Sequence, residues 1–132
     1  MSAYRTAPLF ALAALLAGPA AFAADKPDIE NGKTIFAQRC GICHSVSTEP
    51  GGPIVGPSMV GLVGRKAASV KDFTMYSPAL KKYGVTWNAK TLDTFLVNPM
   101  TVVPGTTMPM MLPDPKERGD VVGYLLTLKA GK

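Results

Sequence analysis

The stretch Cys40-Gly41-Ile42-Cys43-His44 decides how the rest of the chain is read. Two thiols three residues apart, with an imidazole directly after them, form the pattern of covalent c-type haem attachment. Each thiol adds to a porphyrin vinyl group as a thioether, and the imidazole is placed to take one axial position on the iron. These five residues use up both cysteines and the only histidine of the chain. Other uses of a Cys-x-x-Cys pair fit less well. A thioredoxin-like redox pair needs a strand–helix–strand setting, and strand-like alternation is scarce here. A structural zinc site needs four ligands, and these three donors fall short of that. A plain disulfide is the strongest competitor in an exported chain, but it leaves the adjacent histidine without a reason.

Working outward toward the N-terminus, the chain opens like an export signal. Arg5 supplies the positive charge, Pro8 to Ala17 forms an apolar run, Gly18-Pro19 breaks it, and Ala21-Phe22-Ala23 offers small residues for cleavage. The apolar run is too short to span a bilayer comfortably. The sequence therefore divides into a leader at 1–23 and one domain at 24–132, with no stable membrane insertion after cleavage. Cleavage implies a periplasmic address, with an uncleaved anchor as the alternative. The formal net charge of +5 falls by one with Arg5, and no dense Lys/Arg cluster gives a footprint for nucleic acid.

Helix signals flank the motif. Asp28 can cap a first helix in which Gly32, Phe36 and Cys40 share a face at four-residue spacing. Gly123 beside Tyr124 would allow a close helix approach, with Gly32 and Phe36 as the natural counterpart. Ser77-Pro78 opens a short helix to Tyr83. Asn88 can cap another, with Leu92, Phe95 and Leu96 as its buried stripe, and Asn98-Pro99 stops it. Asp114-Pro115-Lys116-Glu117 starts the last helix like a capping box, followed by Val121, Tyr124, Leu125 and Leu128 at i, i+3, i+4 and i+7. Between these lie two long loops. Ser47 to Gly64 is rich in glycine and proline yet interleaved with apolar residues, which suits wrapping the edge of a flat cofactor. Pro99 to Pro113 is proline-rich, apolar and uncharged.

His44 leaves a second axial position to fill. With no other histidine, a methionine thioether is the best candidate, being a soft, neutral donor to iron. Pro104-Gly105-Thr106-Thr107-Met108-Pro109 can fix an irregular backbone that points one side chain inward. Met110 and Met111 compete with Met108 on spacing alone.

Taken together, these motifs resemble those of class I cytochrome c, of the soluble bacterial, mitochondrial-like mono-haem type. The resemblance runs from about Asp28 to Lys129. It rests on Gly32-x-x-x-Phe36, the Cys40–His44 motif, Gly56-Pro57-Ser58-Met59-Val60-Gly61-Leu62-Val63-Gly64-Arg65-Lys66, Tyr76-Ser77 with Val85-Thr86-Trp87, Asn98-Pro99, Pro104 to Met108, and Tyr124. It implies an all-α cytochrome c fold, about four to five short helices and long loops wrapped around one haem c held through Cys40 and Cys43. Met108 matches the distal ligand opposite His44. The Pro57 carbonyl matches the acceptor of the histidine's other N–H. Arg65, Tyr76, Trp87 and Thr106 fall on positions that hydrogen-bond or neutralise the propionates. Two departures stand out. Phe95 replaces a tyrosine that mitochondrial members place near the methionine sulfur, and the 99–113 segment lacks their lysines.

The resemblance implies an exported one-electron carrier rather than an enzyme, working between a periplasmic dehydrogenase or membrane reductase or oxidase as donor and acceptor. The uncharged 99–113 rim suggests apolar docking, with Arg39, Lys81, Lys82 and Lys90 assisting. Two alternatives differ in kind. One is a haem c subunit of a stable periplasmic dehydrogenase complex. The other is a haem peroxidase or sensor, which requires an open axial site.

Overall fold

A computed structural model describes residues 26–47 and 55–130. The leader at 1–23 and the 48–54 part of the first loop lie outside the described residues. The described chain is helical: α1 (Ile29–Ile35), α2 (Pro78–Tyr83), α3 (Ala89–Val97), α4 (Pro99–Val102) and α5 (Pro115–Thr127). Among the described residues, extended pairing is limited to an isolated antiparallel bridge between Lys66 and Thr86.

The caps read from the sequence act as caps. The Asp28 carboxylate accepts from Asn31 N at 3.0 Å, Ser77 Oγ from Leu80 N at 3.1 Å, and the Asp114 carboxylate from Glu117 N at 2.8 Å. Each satisfies an amide that a helix start leaves without an intrahelical partner. Asn88 and Thr91 cap α3 reciprocally: Oδ1 of Asn88 accepts from Thr91 N at 3.0 Å, and Thr91 Oγ1 accepts from Asn88 N at 2.9 Å. Asn98 ends α3 and at once caps α4, accepting from Thr101 N at 3.2 Å. The Pro99 to Pro113 segment thus begins with a helical turn rather than as loop throughout.

α1 runs into one wide π-helical turn, Phe36–Cys40, in which Gly41 N–H donates to Phe36 O, five residues back, at 2.8 Å. Such turns insert a residue into a helix and recur at functional sites. Four-residue spacing implied an unbroken α-helix here and carries no sign of the insertion. Gly32, Phe36 and Cys40 are nevertheless all buried.

The core is organised by the crossing of α1 and α5. A Cβ on Gly32 would run into the backbone carbonyl of Asp120, so the glycine is what lets the two helices meet. Phe36 meets Tyr124 edge to face, with ring centroids 5.6 Å apart. Gly123 is not the partner of Gly32. It faces the side chains of Pro27 and Ile29, nearly one turn further along α5.

Asp120 is 1 % exposed and sits at this crossing. Its carboxylate accepts from Asp28 N, Asn31 Nδ2 and Lys116 Nζ, each at 2.8 Å. Burial pushes its pKa up, but the hydrogen bonds from Lys116, Asn31 and the Asp28 backbone outweigh burial and hold it below the usual carboxylate range. A group depressed in the folded state stabilises fully above its unfolded pKa, about 3.9 for Asp. It loses that contribution as pH falls through the lower, folded value. Asp120→Ala leaves Asp28 N–H and Asn31 Nδ2 without this acceptor, an expected loss of about 1–3 kcal/mol. In denaturant titrations the gap between wild type and variant should hold steady from about pH 7 to 5 and shrink once the pH drops below about 4. A gap that persists undiminished into strong acid would contradict this account.

Candidate haem site

The Cys40–His44 segment closes on one carbonyl. Cys43 N and His44 N both donate to Cys40 O, at 3.0 and 2.9 Å. The His44 bond has helical i→i−4 spacing, so Cys40 and His44 project from the same side, and both line an open cleft. Counted out to its mouth, with open solvent included, the space between its walls is about 940 Å³. Cys43 is half-buried and does not line the cleft, although its carbonyl lies against Gly56, which does. Both thiols are free rather than joined. Burial pushes the Cys40 thiol up to about 11, with Arg39 lowering it and Cys43 raising it.

His44 Nδ1 lies 2.9 Å from Pro57 O. A carbonyl only accepts, so Nδ1 carries the proton and Nε2 keeps its lone pair free. Burial pushes the imidazole pKa down. The Pro57 bond raises it and the Arg65 charge lowers it further. The ring is therefore held neutral in one tautomer, which is what a metal-binding nitrogen needs. Gly56 makes the close approach of this loop possible: a Cβ there would stand 2.5 Å from His44 Cε1.

From another part of the chain, Met108 enters the cleft, whereas Met110 and Met111 do not line it; Met111 is 49 % exposed. Gly105, at φ +92°, turns the backbone just before it. The amide of Met108 donates to Thr106 Oγ1 at 3.4 Å. Thr106 is buried with its hydroxyl engaged there and does not line the cleft; its neighbour Thr107 does. Arg65, Tyr76 and Trp87 are all brought to the cleft wall. The Arg65 guanidinium donates to Ser58 O at 2.9 Å and Val60 O at 3.0 Å, bracing the loop that carries Pro57. Burial raises the Tyr76 phenol's pKa, while a backbone hydrogen bond at Val70 and the Arg65 charge lower it. Trp87 packs on Phe95, centroids 5.2 Å apart, and Tyr83 stacks on Phe95 at 6.3 Å.

Met59 and Met75 also line the cleft, and spacing gave no reason to single them out, because most methionines fill cores. Met59 belongs to the histidine side, since its N–H donates to Ser45 O at 2.8 Å. Phe36, Leu62, Leu92, Leu96, Val121 and Leu125 complete an apolar wall. The donor set fits a porphyrin: one oriented neutral imidazole, a thioether from a separate loop, paired thiols beside the histidine, apolar walls, and one guanidinium for acidic groups.

A covalently held, iron-centred electron-transfer site on an all-helical scaffold is the class that this arrangement defines. The sequence profile of the cytochrome c family matches residues 29–129. The chain is 44 % identical to cytochrome c2 of Rhodomicrobium vannielii over 118 residues, 87 % of this chain and 89 % of that protein. It is 41 % identical to cytochrome c of Gibberella zeae, over 74 % of this chain and 92 % of that one. To the c-type cytochrome cy of Rhodobacter capsulatus it is 38 % identical, over 76 % of this chain and 49 % of that one. The chain belongs to the cytochrome c family, carries one covalent haem c, and is an electron carrier rather than an enzyme. Among the described residues, no helix is long and apolar enough to cross a membrane.

Proposed function

We propose that this chain works as an exported, periplasmic mono-haem carrier, its leader removed after Ala23. His44 Nε2 and Met108 Sδ hold the iron from two sides. Arg65, Tyr76 and Trp87 serve the propionates, with Arg65 supplying the charge; Thr106, also expected there from the resemblance, lies off the cleft wall and holds the Met108 amide instead. The observation that carries this reading is the 2.9 Å bond from His44 Nδ1 to Pro57 O, in a cleft that also receives Met108. The haem supplies a one-electron ferrous–ferric couple. The protein orients the imidazole, supplies a soft second donor, and excludes water from the iron with its apolar walls. A redox titration of the purified holoprotein tests it. A single one-electron wave is expected, with a ferric state that shows an iron–thioether absorption band and takes up cyanide slowly. Immediate cyanide or peroxide uptake by the wild-type ferric protein would favour a peroxidase or sensor instead.

Its donor and acceptor are redox proteins, either a periplasmic dehydrogenase or a membrane reductase or oxidase. Val97, Met100 and Met111 are 40, 56 and 49 % exposed, and no charge interrupts the chain from Thr94 to Pro113. A matching partner presents an uncharged, apolar face to this rim. The Arg39 charge is matched by Glu117 at 2.7 Å, so among the assisting charges Lys81, Lys82 and Lys90 remain. Electron exchange with a donor captured from the native periplasm should change less than about threefold as the Debye length falls from ~30 to ~8 Å. A steep decline with salt would instead indicate docking by charge.

A further inference from the structure

Arg118 joins three parts of the molecule through one side chain. It lies in α5, and its side chain is 11 % exposed. Nε donates to Asp93 Oδ1 on α3 at 2.7 Å, and Nη1 donates to Leu112 O and Pro113 O, both at 3.0 Å. These two carbonyls end the segment that carries Met108. Leu112 is itself fully buried, and its N–H donates to Leu96 O at 2.7 Å. On the other side of Met108, Thr106 N donates to Val103 O at 2.9 Å. Met108 therefore hangs between two fixed points, one of them set by a partly buried guanidinium.

We infer that Arg118 is a positioning residue for the Met108 thioether, with Asp93 holding the guanidinium plane in the orientation that reaches both carbonyls. The inference rests on the reading of Met108 as an iron ligand. The physical ground is the fork geometry of Arg. Its donors are fixed in one plane, so the bond to Asp93 sets where Nη1 points. A lysine ammonium can keep the charge near Asp93 but does not reproduce that plane. When the clamp is lost, the end of the loop is freed and Met108 leaves the iron more often. An incoming ligand then binds in proportion to the time that the site is open.

The test uses the ferric holoprotein and cyanide as probe. Arg118→Gln should speed cyanide binding by about tenfold or more, the scale of a lost charge-assisted hydrogen bond. Arg118→Lys should fall between it and wild type, and Asp93→Asn should move the rate the same way by about threefold. Arg39→Gln, which breaks the exposed pair between the π turn and Glu117, the α5 neighbour of Arg118, should leave the rate unchanged. The iron–thioether absorption band should persist at rest in all of them. Cyanide rates equal to wild type in both Arg118 variants would overturn the inference even if their melting temperatures fall, because a merely structural role moves only the latter. Met108→Ala separates the two levels. If it binds cyanide fast while the Arg118 variants do not, only the clamp is wrong. If it leaves cyanide binding unchanged, the ligand reading falls and the clamp with it.

Discussion

Replacing Met108 with alanine will open the iron of the holoprotein. The thioether is the soft donor that the 104–109 segment delivers to the cleft, and alanine cannot reach in its place. Three changes should appear together. The iron–thioether absorption band of the ferric form disappears. Cyanide affinity rises by about tenfold for every 1.4 kcal/mol that displacing the thioether had cost. The reduction potential drops, because a neutral sulfur favours ferrous over ferric iron. Each tenfold loss of that preference lowers a one-electron potential by about 59 mV, so a loss of two decades gives a shift on the order of 120 mV. Met110→Ala is the comparison. Met110 does not line the cleft, so it should retain the band and a potential close to wild type. Should the Met110 variant open the iron and the Met108 variant not, the thioether has been assigned two residues too early.

The largest loss of stability is expected from Gly32→Val. A Cβ at this position runs into the Asp120 carbonyl, with the Asp120 carbonyl carbon and Val121 N also in the way. These are backbone atoms of α5 and cannot rotate aside as a flexible side chain would. The helices must separate, which loosens the Phe36–Tyr124 contact and stretches the bonds from Asp28 and Asn31 to Asp120. Overpacking by itself costs about 1–3 kcal/mol, and the added loss of buried hydrogen bonds brings the expected total to about 3–5 kcal/mol. For a domain of roughly 100 residues this lowers the melting temperature by about 12–40 °C. Gly32→Ala should already cost most of this, since its Cβ is what collides. Thermal unfolding of the two holoproteins measures it, and an alanine variant within about 1 kcal/mol of wild type would show that the crossing is not tight.

The residues that the sequence made legible act locally. Cys40 to His44 are contiguous, and Asp28, Ser77, Asn88 and Asp114 each cap an amide three residues ahead. A short motif and a capping bond can be read without knowing the fold. Met108 stood apart from Met110 and Met111 only with the help of family resemblance. Its entry into the cleft depends on the turn at Gly105 and on how the loop is anchored. Asp120 gave no signal, because its bond to Asp28 spans 92 residues and an acidic residue in a helix normally faces water. Arg118 was equally silent, its Asp93 partner being 25 residues away. The π turn was hidden for another reason: inserting one residue leaves the buried positions Gly32, Phe36 and Cys40 on a pattern that still looks α-helical. The proposed export leader, at 1–23, lies outside the described residues.

The meeting of α1 with α5 has a consequence for how the carrier handles an electron. α1 leads directly into the turn bearing His44, and α5 follows directly on the loop bearing Met108. Pinning the first helix to the last at Asp120 closes the polypeptide into a hoop, so neither jaw can swing without straining the clasp. If His44 and Met108 hold the iron as proposed, such a hoop would keep its surroundings nearly the same in both charge states and ask little nuclear rearrangement of each hop.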